Sequence, residues 1–475
     1  MAKDVVIFTS VDGKLFQRAI GAYQLAHHIR QNGYTVQVAD FISSLNLDEL
    51  KKVIDLYVDE STKVIGISST FLSDYSSKFS STTKTFVPIL SDNLTLVIEY
   101  AKSKFPNLKI VLGGARSMGG ESLPFIDCVI HGYAEDKFLD YINSINACPA
   151  KTIINEDPEN KQFDISELQH AFHKDDFILR NETLPIEISR GCIFKCKFCA
   201  YNMNGKKKMD FLRSHINIVD EMKHNYEHYG TTNYYICDDT FNDTTFKVER
   251  IANEIAKLPF KIKFACYLRL DLLHAHKEQI PMLYDMGLAS PFFGIESLNQ
   301  KSATSIGKGM NVNKVKEFLT ELHDDHWKKE IPSTCSFIIG LPHETAETVN
   351  ATFEWTKTAP INPVFFPLSL DTQSFYKSEF QKNYASYGYI LRGADKKGWR
   401  NSHFTDDTAT VLEEQFNQEL MYGKNIPASW FLMTLLNHNI SINEAMDTKV
   451  KDLNWTKIVR ERHKKIREYK TYLLN

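Results

Sequence analysis

Cys192, Cys196 and Cys199 stand at C-x3-C-x2-C spacing directly after a short apolar run, 184–189. Thiolates bind soft metal ions, and three on one tight loop can hold three irons of a [4Fe–4S] cube. The fourth iron is then open to a small molecule, so the spacing points to chemistry rather than to a structural staple. An incomplete zinc site is the other reading, but a fourth ligand at C-x2-C or H-x3-H spacing is missing. Polar residues suited to a charged ligand recur further on, each where another apolar run ends. Asp238 and Asp239 follow Ile236-Cys237, Arg269 and Asp271 follow Tyr267-Leu268, Glu296 and Ser297 follow Gly294-Ile295, and Gly340 follows Ile338-Ile339. Each group has a plainer reading beside the chemical one. Asp238-Asp239 would suit a helix cap, Arg269 a structural ion pair, and Lys308 a solvated position. Cys237, Cys266 and Cys335 fall on predicted strands and read as small core residues.

These residues need elements to position them. Strands are predicted over 184–189, 233–238, 261–269, 290–295, 334–340 and 363–370, with helices between them over 216–228, 246–257, 277–285, 312–326 and 345–358. Such alternation predicts a central partial (β/α)6 TIM-type barrel, whose reactive groups sit at the carboxyl ends of the strands. An earlier alternation places strands at 5–9, 35–40, 64–69, 109–112 and 128–131, with helices at 17–32, 48–57, 93–104 and 135–145. It predicts an N-terminal doubly wound, Rossmann-like parallel sheet. The ligand edge of that sheet would carry Ser10, Ser68-Ser69, Gly113-Gly114 and Gly132. Helices over 411–421, 428–437 and 455–474 predict a C-terminal helical region. The fold class is α/β, divided into 1–145, a connector 146–183, a core 184–385 and a helical part 386–475.

The bulk composition is that of an ordinary globular chain: 475 residues, 43% hydrophobic and 24% charged. A formal charge of −3 gives no global electrostatic case for nucleic acid or a membrane surface. Of 8 cysteines only the three at 192–199 cluster, which favours a reducing compartment with one metal site over a disulfide framework. No apolar run is long enough to span a bilayer, and the start of the chain reads as a strand and not a signal peptide. The expectation is a cytoplasmic protein.

In their order, these motifs resemble the radical S-adenosylmethionine (radical SAM) family. The cysteine loop with Phe198 before its last cysteine, the acidic end at Asp238-Asp239, Arg269-x-Asp271, Gly294-Ile295-Glu296-Ser297 with Gly307-Lys308-Gly309, and Ile338-Ile339-Gly340-Leu341-Pro342 all match. The resemblance implies a [4Fe–4S] cluster on the cysteines and SAM on its open iron. Asp238 or Asp239 would meet the SAM ammonium, Arg269 its carboxylate, Glu296 or Ser297 the ribose, and the backbone at Ile338 and Gly340 the adenine. Asp239 and Arg269 are the candidate catalytic residues. One electron would cleave a C–S bond to give methionine and a 5′-deoxyadenosyl radical, and an electron donor of flavodoxin or ferredoxin type is implied. The front sheet resembles the cobalamin-binding-like domain of one subgroup, through Gly21-Ala22-Tyr23, Gly66-Ile67-Ser68, Leu112-Gly113-Gly114 and Gly132-Tyr133-Ala134-Glu135. Ser68, Gly113 and Gly114 would face the corrin or its tail. The Asp-x-His-x-x-Gly signature for the cobalt-binding histidine is absent, and His27 and His28 lie mid-helix. A sheet without a ligand therefore stands as the alternative.

Three stretches stand apart. A Ser/Thr-rich insertion at 70–91 would act as a lid or a block on the ligand edge, and Arg116 stands where many relatives place a histidine. Trp399-Arg400-Asn401-Ser402-His403 resembles an element that lines the substrate mouth in cobalamin-type relatives. The basic tail around Arg460, Arg462, Lys464, Lys465, Arg467 and Lys470 reads as a solvated helix face, with an RNA or acidic-partner contact as the other reading. Three functions follow: cobalamin-dependent methyl transfer to an unidentified substrate, radical rearrangement, cyclisation or oxidation without cobalamin, and a non-catalytic iron–sulfur or RNA-interaction protein.

Overall fold

Two parallel sheets of six strands each carry the chain. The computed structural model describes residues 1–475 except 12, 14, 73–77, 81–84, 88, 115–116, 148–150, 156–162, 202, 372–375, 394–397 and 424–428. The front sheet holds β1 (Val5–Phe8), β2 (Val36–Ala39), β3 (Val64–Ser68), β4 (Lys109–Gly113), β5 (Cys128–His131) and β6 (Thr152–Asn155), in the order β2-β1-β3-β4-β5-β6. Runs such as Val5-Val6-Ile7-Phe8 and Cys128-Val129-Ile130-His131 are buried throughout, as strands covered on both faces must be. Helices α1 (Ile20–Gln31), α2 (Leu47–Tyr57), α3 (Asp92–Lys104) and α4 (Glu135–Asn143) connect them. Asn46 and Glu49 close a capping box at α2, and Ser91 accepts from the Leu94 N–H at α3. Strand order reverses between β1 and β3, which opens a crevice at their carboxyl ends.

The sheet is one strand wider than predicted. Thr152–Asn155, expected within an unstructured connector, pairs in parallel with β5. Four residues between a proline and a charged stretch are too few to show a period, and only pairing with β5 makes them a strand. The insertion after β3 contains a helical turn, Ser69–Leu72, and a hairpin of Lys78–Ser80 with Thr85–Val87. Residues 73–77, 81–84 and 88 of it, and Arg116, lie outside the described residues.

The second sheet holds β7 (Leu184–Glu187), β8 (Asn233–Cys237), β9 (Lys263–Leu268), β10 (Leu288–Glu296), β11 (Thr334–Ile339) and β12 (Asn362–Pro367), paired in sequence order. Among the described residues β7 and β12 do not pair, so the barrel is open. Helices α5 (His215–Tyr229), α6 (Thr245–Ile255), α7 (Gln279–Met286), α8 (Val312–Glu321) and α9 (Ala346–Thr358) lie between the strands. The C-terminal helices include α10 (Asp406–Gly423), α11 (Ser429–Leu436) and α12 (Trp455–Leu473). Met433 of α11 packs on Ala265 and Ala289.

Arg460, Lys464 and Arg467 of the tail are exposed, as a solvated face requires, but the other face of the helix is not. Ile466, Tyr469 and Leu473 of α12 are buried in the core of the front sheet, the Asp40 N–H donates to Tyr469 Oη at 2.8 Å, and Lys470 pairs with Glu49 at 2.6 Å. The basic residues of this helix flank an apolar stripe that only the folded chain covers. Two buried ion pairs fasten the front sheet to the barrel, Arg18 to Glu182 and Arg190 to Glu135, each at 2.6 Å. Among the described residues no helix is long and apolar enough to cross a membrane.

Candidate active site

The cysteine loop leaves the carboxyl end of β7. Gly191 has φ +76°, and a Cβ there would lie 2.6 Å from Met203 Cβ and 2.7 Å from Met203 O, so the turn into Cys192 needs glycine. The loop folds back on itself: the Gly205 N–H donates to Cys192 O at 2.6 Å and the Cys199 N–H to Cys196 O at 3.0 Å. Every sulfur has a polar neighbour. Thr240 Oγ1 lies 3.0 Å from Cys192 Sγ, Asn204 Nδ2 donates to Cys199 Sγ at 3.2 Å, and Arg269 Nη1 donates to Cys196 Sγ at 3.5 Å. Hydrogen bonds to sulfur orient cluster ligands and set their potential. Among the described residues no three His, Cys, Asp or Glu side chains converge as a single metal ion requires. A cube needs a wider triangle, because each thiolate reaches a different iron. Burial pushes the thiols of Cys192 and Cys199 up, so cluster binding must displace their protons.

The two acidic residues after β8 part company. Asp238 is buried, takes Lys247 Nζ at 3.0 Å and accepts from the Thr240 N–H at 2.9 Å, so its carboxylate is committed to holding the strand end. Asp239 faces a cavity, and burial together with the Asp238 carboxylate pushes it up to about 6. Arg269 forms a two-point pair with Asp271 (3.0 and 2.6 Å) and stacks on Phe194, 3.6 Å from the ring centre. Its position braces the cysteine loop.

Glu296 ends β10 with φ +71°, a conformation non-glycine residues rarely hold. Its carboxylate folds back over Gly294, where a Cβ would strike Oε1, and accepts from Ser336 Oγ at 3.2 Å. Lys308 Nζ donates to Gly294 O at 2.7 Å beside it. Ser297 Oγ donates to Glu344 Oε1 at 2.8 Å, while Glu344 Oε2 accepts from the N–H groups of Gly340 and Leu341 at 3.0 and 3.1 Å. Gly340 has φ +98°, and a Cβ on it would meet the Trp399 ring. Trp399 is therefore buried under the β11 turn, where its indole N–H donates to Leu368 O at 2.8 Å; it supports the turn from below instead of lining a mouth. Ile338 and Phe198 are partly buried against the main core.

A cavity of about 470 Å³ lies between the two sheets. Ser68, Gly113, Gly114 and Gly132 line it from the front strand ends, and Glu187, Arg190, Ala200, Tyr201 and Asp239 from the side of the cysteine loop. Gly21 and Gly113 leave bare backbone there: a Cβ on Gly21 would meet nothing within 4 Å, and one on Gly113 only Ile130 O at 3.6 Å. Arg190 Nε and Nη2 donate to Glu187 at 2.8 and 3.0 Å, Nη2 also to Glu135 at 2.6 Å, and the guanidinium lies 4.2 Å from the centre of the Tyr133 ring. Of the candidate ligand residues, Ser68, Gly113, Gly114 and Asp239 meet around this cavity. Phe198, Asp238, Arg269, Glu296, Ser297, Ile338 and Gly340 do not line it; they tie together the loop and the barrel strand ends.

Sequence reasoning missed Thr240, Asn204 and Lys206, whose Nζ donates to Ser189 Oγ and, at 2.8 Å, to Arg190 O. Gln24 and Glu135 belong to the stretches that carry the resemblance of the front sheet but were given no role; for Arg190 the one available signal was its position directly before Gly191-Cys192.

Residues 186–356 match the model of the radical SAM superfamily. An uncharacterized methyltransferase of Pyrococcus horikoshii is 22% identical over 377 residues, 74% of this chain and 75% of its own length. The anaerobic magnesium-protoporphyrin IX monomethyl ester cyclase of Rubrivivax gelatinosus is 22% identical over 288 residues, 55% of this chain; the chain spans about half of that relative, 51%. Among solved structures, the radical S-adenosylmethionine methyltransferase TsrM of Kitasatospora setae, with tryptophan and a SAM analogue, superposes with a TM-score of 0.65 at 14% identity, over 98% of this chain and 99% of its own. OxsB, a cobalamin-dependent S-adenosylmethionine radical enzyme solved with aqua-cobalamin and S-adenosylmethionine, gives 0.62 at 13% identity, over 98% of this chain and 71% of its own. At such identities the two share the fold. The matched stretch begins within β7 and ends within α9, so it takes in the cysteine loop and the polar strand ends from β8 to β11: residues 186–356 are a radical SAM domain.

Proposed function

We propose that this protein is a radical SAM enzyme that transfers a methyl group with a corrinoid held between its two sheets. One observation carries the reading: a single cavity runs from the bare strand ends of the front sheet to Asp239 and Tyr201 beside the cysteine loop. The residues present fit both groups. Three thiols on one loop, each with a polar partner, suit a [4Fe–4S] cluster, and Ser68 with bare backbone at Gly21 and Gly113 suits a broad flat ring. When bound, the cluster supplies the electron that cleaves SAM and the corrinoid supplies a methyl carrier. The chain's own residues orient and enclose. Arg269, Thr240 and Asn204 hold the thiolates, Asp239 offers a carboxylate to a cationic ligand group, and the Glu344–Gly340–Ser297 network fixes the backbone of the β11 turn. A flavodoxin- or ferredoxin-like protein would deliver the electron. The methyl transfer named for the Pyrococcus relative and for TsrM supports this reading.

Full-length protein, reconstituted with iron and sulfide and reduced, is the test. The expected result is corrinoid absorbance retained through gel filtration, with S-adenosylhomocysteine formed. Formation of 5′-deoxyadenosine alone, with no corrinoid retained, would favour the second reading, a radical cyclisation or oxidation, to which the likeness to the cyclase lends support. No SAM cleavage at all would leave a non-catalytic iron–sulfur protein.

A further inference from the structure

The chain carries a formal charge of −3, yet the turn that closes the cysteine loop is basic. The Gly205 and Lys206 N–H groups both donate to Cys192 O, at 2.6 and 3.2 Å, so the turn 207–210 stands beside the cluster thiols. The Lys207 N–H donates to Asp210 Oδ2 at 3.1 Å and the Asp210 N–H to Lys207 O at 3.2 Å, which keeps the turn tight. Lys207, Lys208 and Met209 at its tip are exposed, and so is Lys195, between the first two cysteines. The Lys195 stem lies along Gly205, where an added Cβ would strike its Cγ, Cδ and Cε. Met209 also lines a concavity of about 270 Å³ with Arg250, an exposed residue whose guanidinium lies 4.1 Å from the centre of the exposed Phe246 ring. Asp210 and Glu249 are the exposed carboxylates of these segments. Among the described residues neither they nor any other acid pairs with Lys195, Lys207, Lys208 or Arg250, whereas lysines on the barrel helices do find partners, Lys223 with Asp220 and Lys257 with Glu254.

We propose that this basic turn, with Lys195 and Arg250 beside it, is the docking face for a flavodoxin that reduces the cluster. This rests on the cluster reading above and deepens it. The inner side of the cysteine loop, at Ala200 and Tyr201, opens into the cavity between the sheets. Small molecules fill that side in the proposed function, so a protein donor has the outer side left to it. Lys195, Lys207, Lys208 and Met209 do not line the cavity; they face solvent within a few residues of Cys192 and Cys196. A flavodoxin presents acidic side chains around the exposed apolar edge of its flavin. Cations around Met209 complement that pattern: unpaired charges steer the encounter, and the thioether adapts to the ring edge. Met209 and Phe246 favour the flavin edge over the more polar surface of a ferredoxin. One electron passes from the fully reduced flavin to the oxidised cluster. The flavin keeps its second electron, and no bond or proton changes hands.

The test follows bleaching of the cluster absorbance in reconstituted full-length protein, with a purified bacterial flavodoxin or with photoreduced deazaflavin, a small uncharged reductant. Calorimetric titration with the same flavodoxin measures binding. Raising salt from about 20 to about 300 mM should slow flavodoxin-driven reduction of wild type about tenfold. Lys207→Glu together with Lys208→Glu should slow it about tenfold at low salt and flatten the salt dependence, with iron per chain and the deazaflavin rate unchanged. Met209→Ser should weaken flavodoxin binding about fivefold and leave the salt dependence as in wild type. Equal flavodoxin rates in wild type and the double variant overturn the inference, as does a wild-type rate that ignores salt. Faster reduction of wild type by a ferredoxin at the same concentration overturns it too. A deazaflavin-reduced wild type that cleaves no SAM overturns the proposed function instead, while the reduction rates and binding still decide the docking face. A chain that assembles no cluster overturns both.

Discussion

Single side chains decide how tightly the reactive loop is held. Arg269 is the sharpest case, since it touches Cys196 Sγ, stacks on Phe194 and pairs at two points with Asp271. Arg269→Lys keeps the charge and loses the planar fork. If Arg269 braces the loop, the variant will hold less iron per chain with SAM affinity per cluster unchanged; if it binds the SAM carboxylate, iron content will hold and SAM affinity will fall. Glu344 makes a second prediction. Burial pushes its carboxyl from 4.5 to about 7, against the hydrogen bonds that lower it. Between those values the folded chain binds a proton that the unfolded chain does not, so this group's stabilising effect is full below about 4.5 and falls as pH rises through about 7, by on the order of 3 kcal/mol. Glu344→Gln keeps an acceptor for the Gly340 and Leu341 N–H groups. The difference in urea-unfolding free energy between variant and wild type should therefore shift in the variant's favour from pH 5 to pH 8. A constant difference would mean the carboxyl titrates normally.

Elements matter here mainly through their ends. Parallel strands leave their carboxyl ends open, and the turns there carry Gly191, Glu296 and Gly340, all with positive φ. At Gly191 the backbone runs so close to Met203 that an added methyl must push the two apart. Gly191→Ala should cost about 1–3 kcal/mol and reduce cluster assembly though all three cysteines remain. Iron and sulfide per chain after reconstitution measure this, and wild-type content in the variant would refute it. Trp399 belongs to the same scale: it stands on a short strand, Gly398–Arg400, far along the chain, and supports the turn at Gly340.

Over the whole molecule, buried charges and a returning helix hold the two sheets in place. Arg18 is fully buried, bonds Glu182 at 2.6 Å and Tyr23 Oη at 2.6 Å, and lies 3.7 Å from Asp40. Removing it strands two acidic groups in the interior. Arg18→Met is expected to cost about 3–5 kcal/mol in urea unfolding, well beyond the loss of a surface pair. Tyr469→Ala in α12 should cost a similar 3–5 kcal/mol, because it opens a cavity over the front sheet and frees the Asp40 N–H. A loss under about 1 kcal/mol would mean the tail is not docked in solution.

Local order along the chain was enough to show the cysteine loop, both strand–helix alternations and the small residues at Ser68, Gly113 and Gly114, because spacing and periodicity are properties of neighbours in sequence. It was enough, too, to place Asp238, Asp239, Arg269, Glu296, Ser297 and Gly340 at strand ends. It did not reveal β6, whose four residues become a strand only beside β5. Nor did it show the docking of α12, or that Asp238 is spent on Lys247 while Asp239 faces the cavity. Gln24, Glu135 and Arg190 stand far apart in sequence, and nothing along the chain pairs Arg190 with Glu135. Tertiary structure buried them together, because desolvation and hydrogen-bond pairing depend on what surrounds a side chain in space.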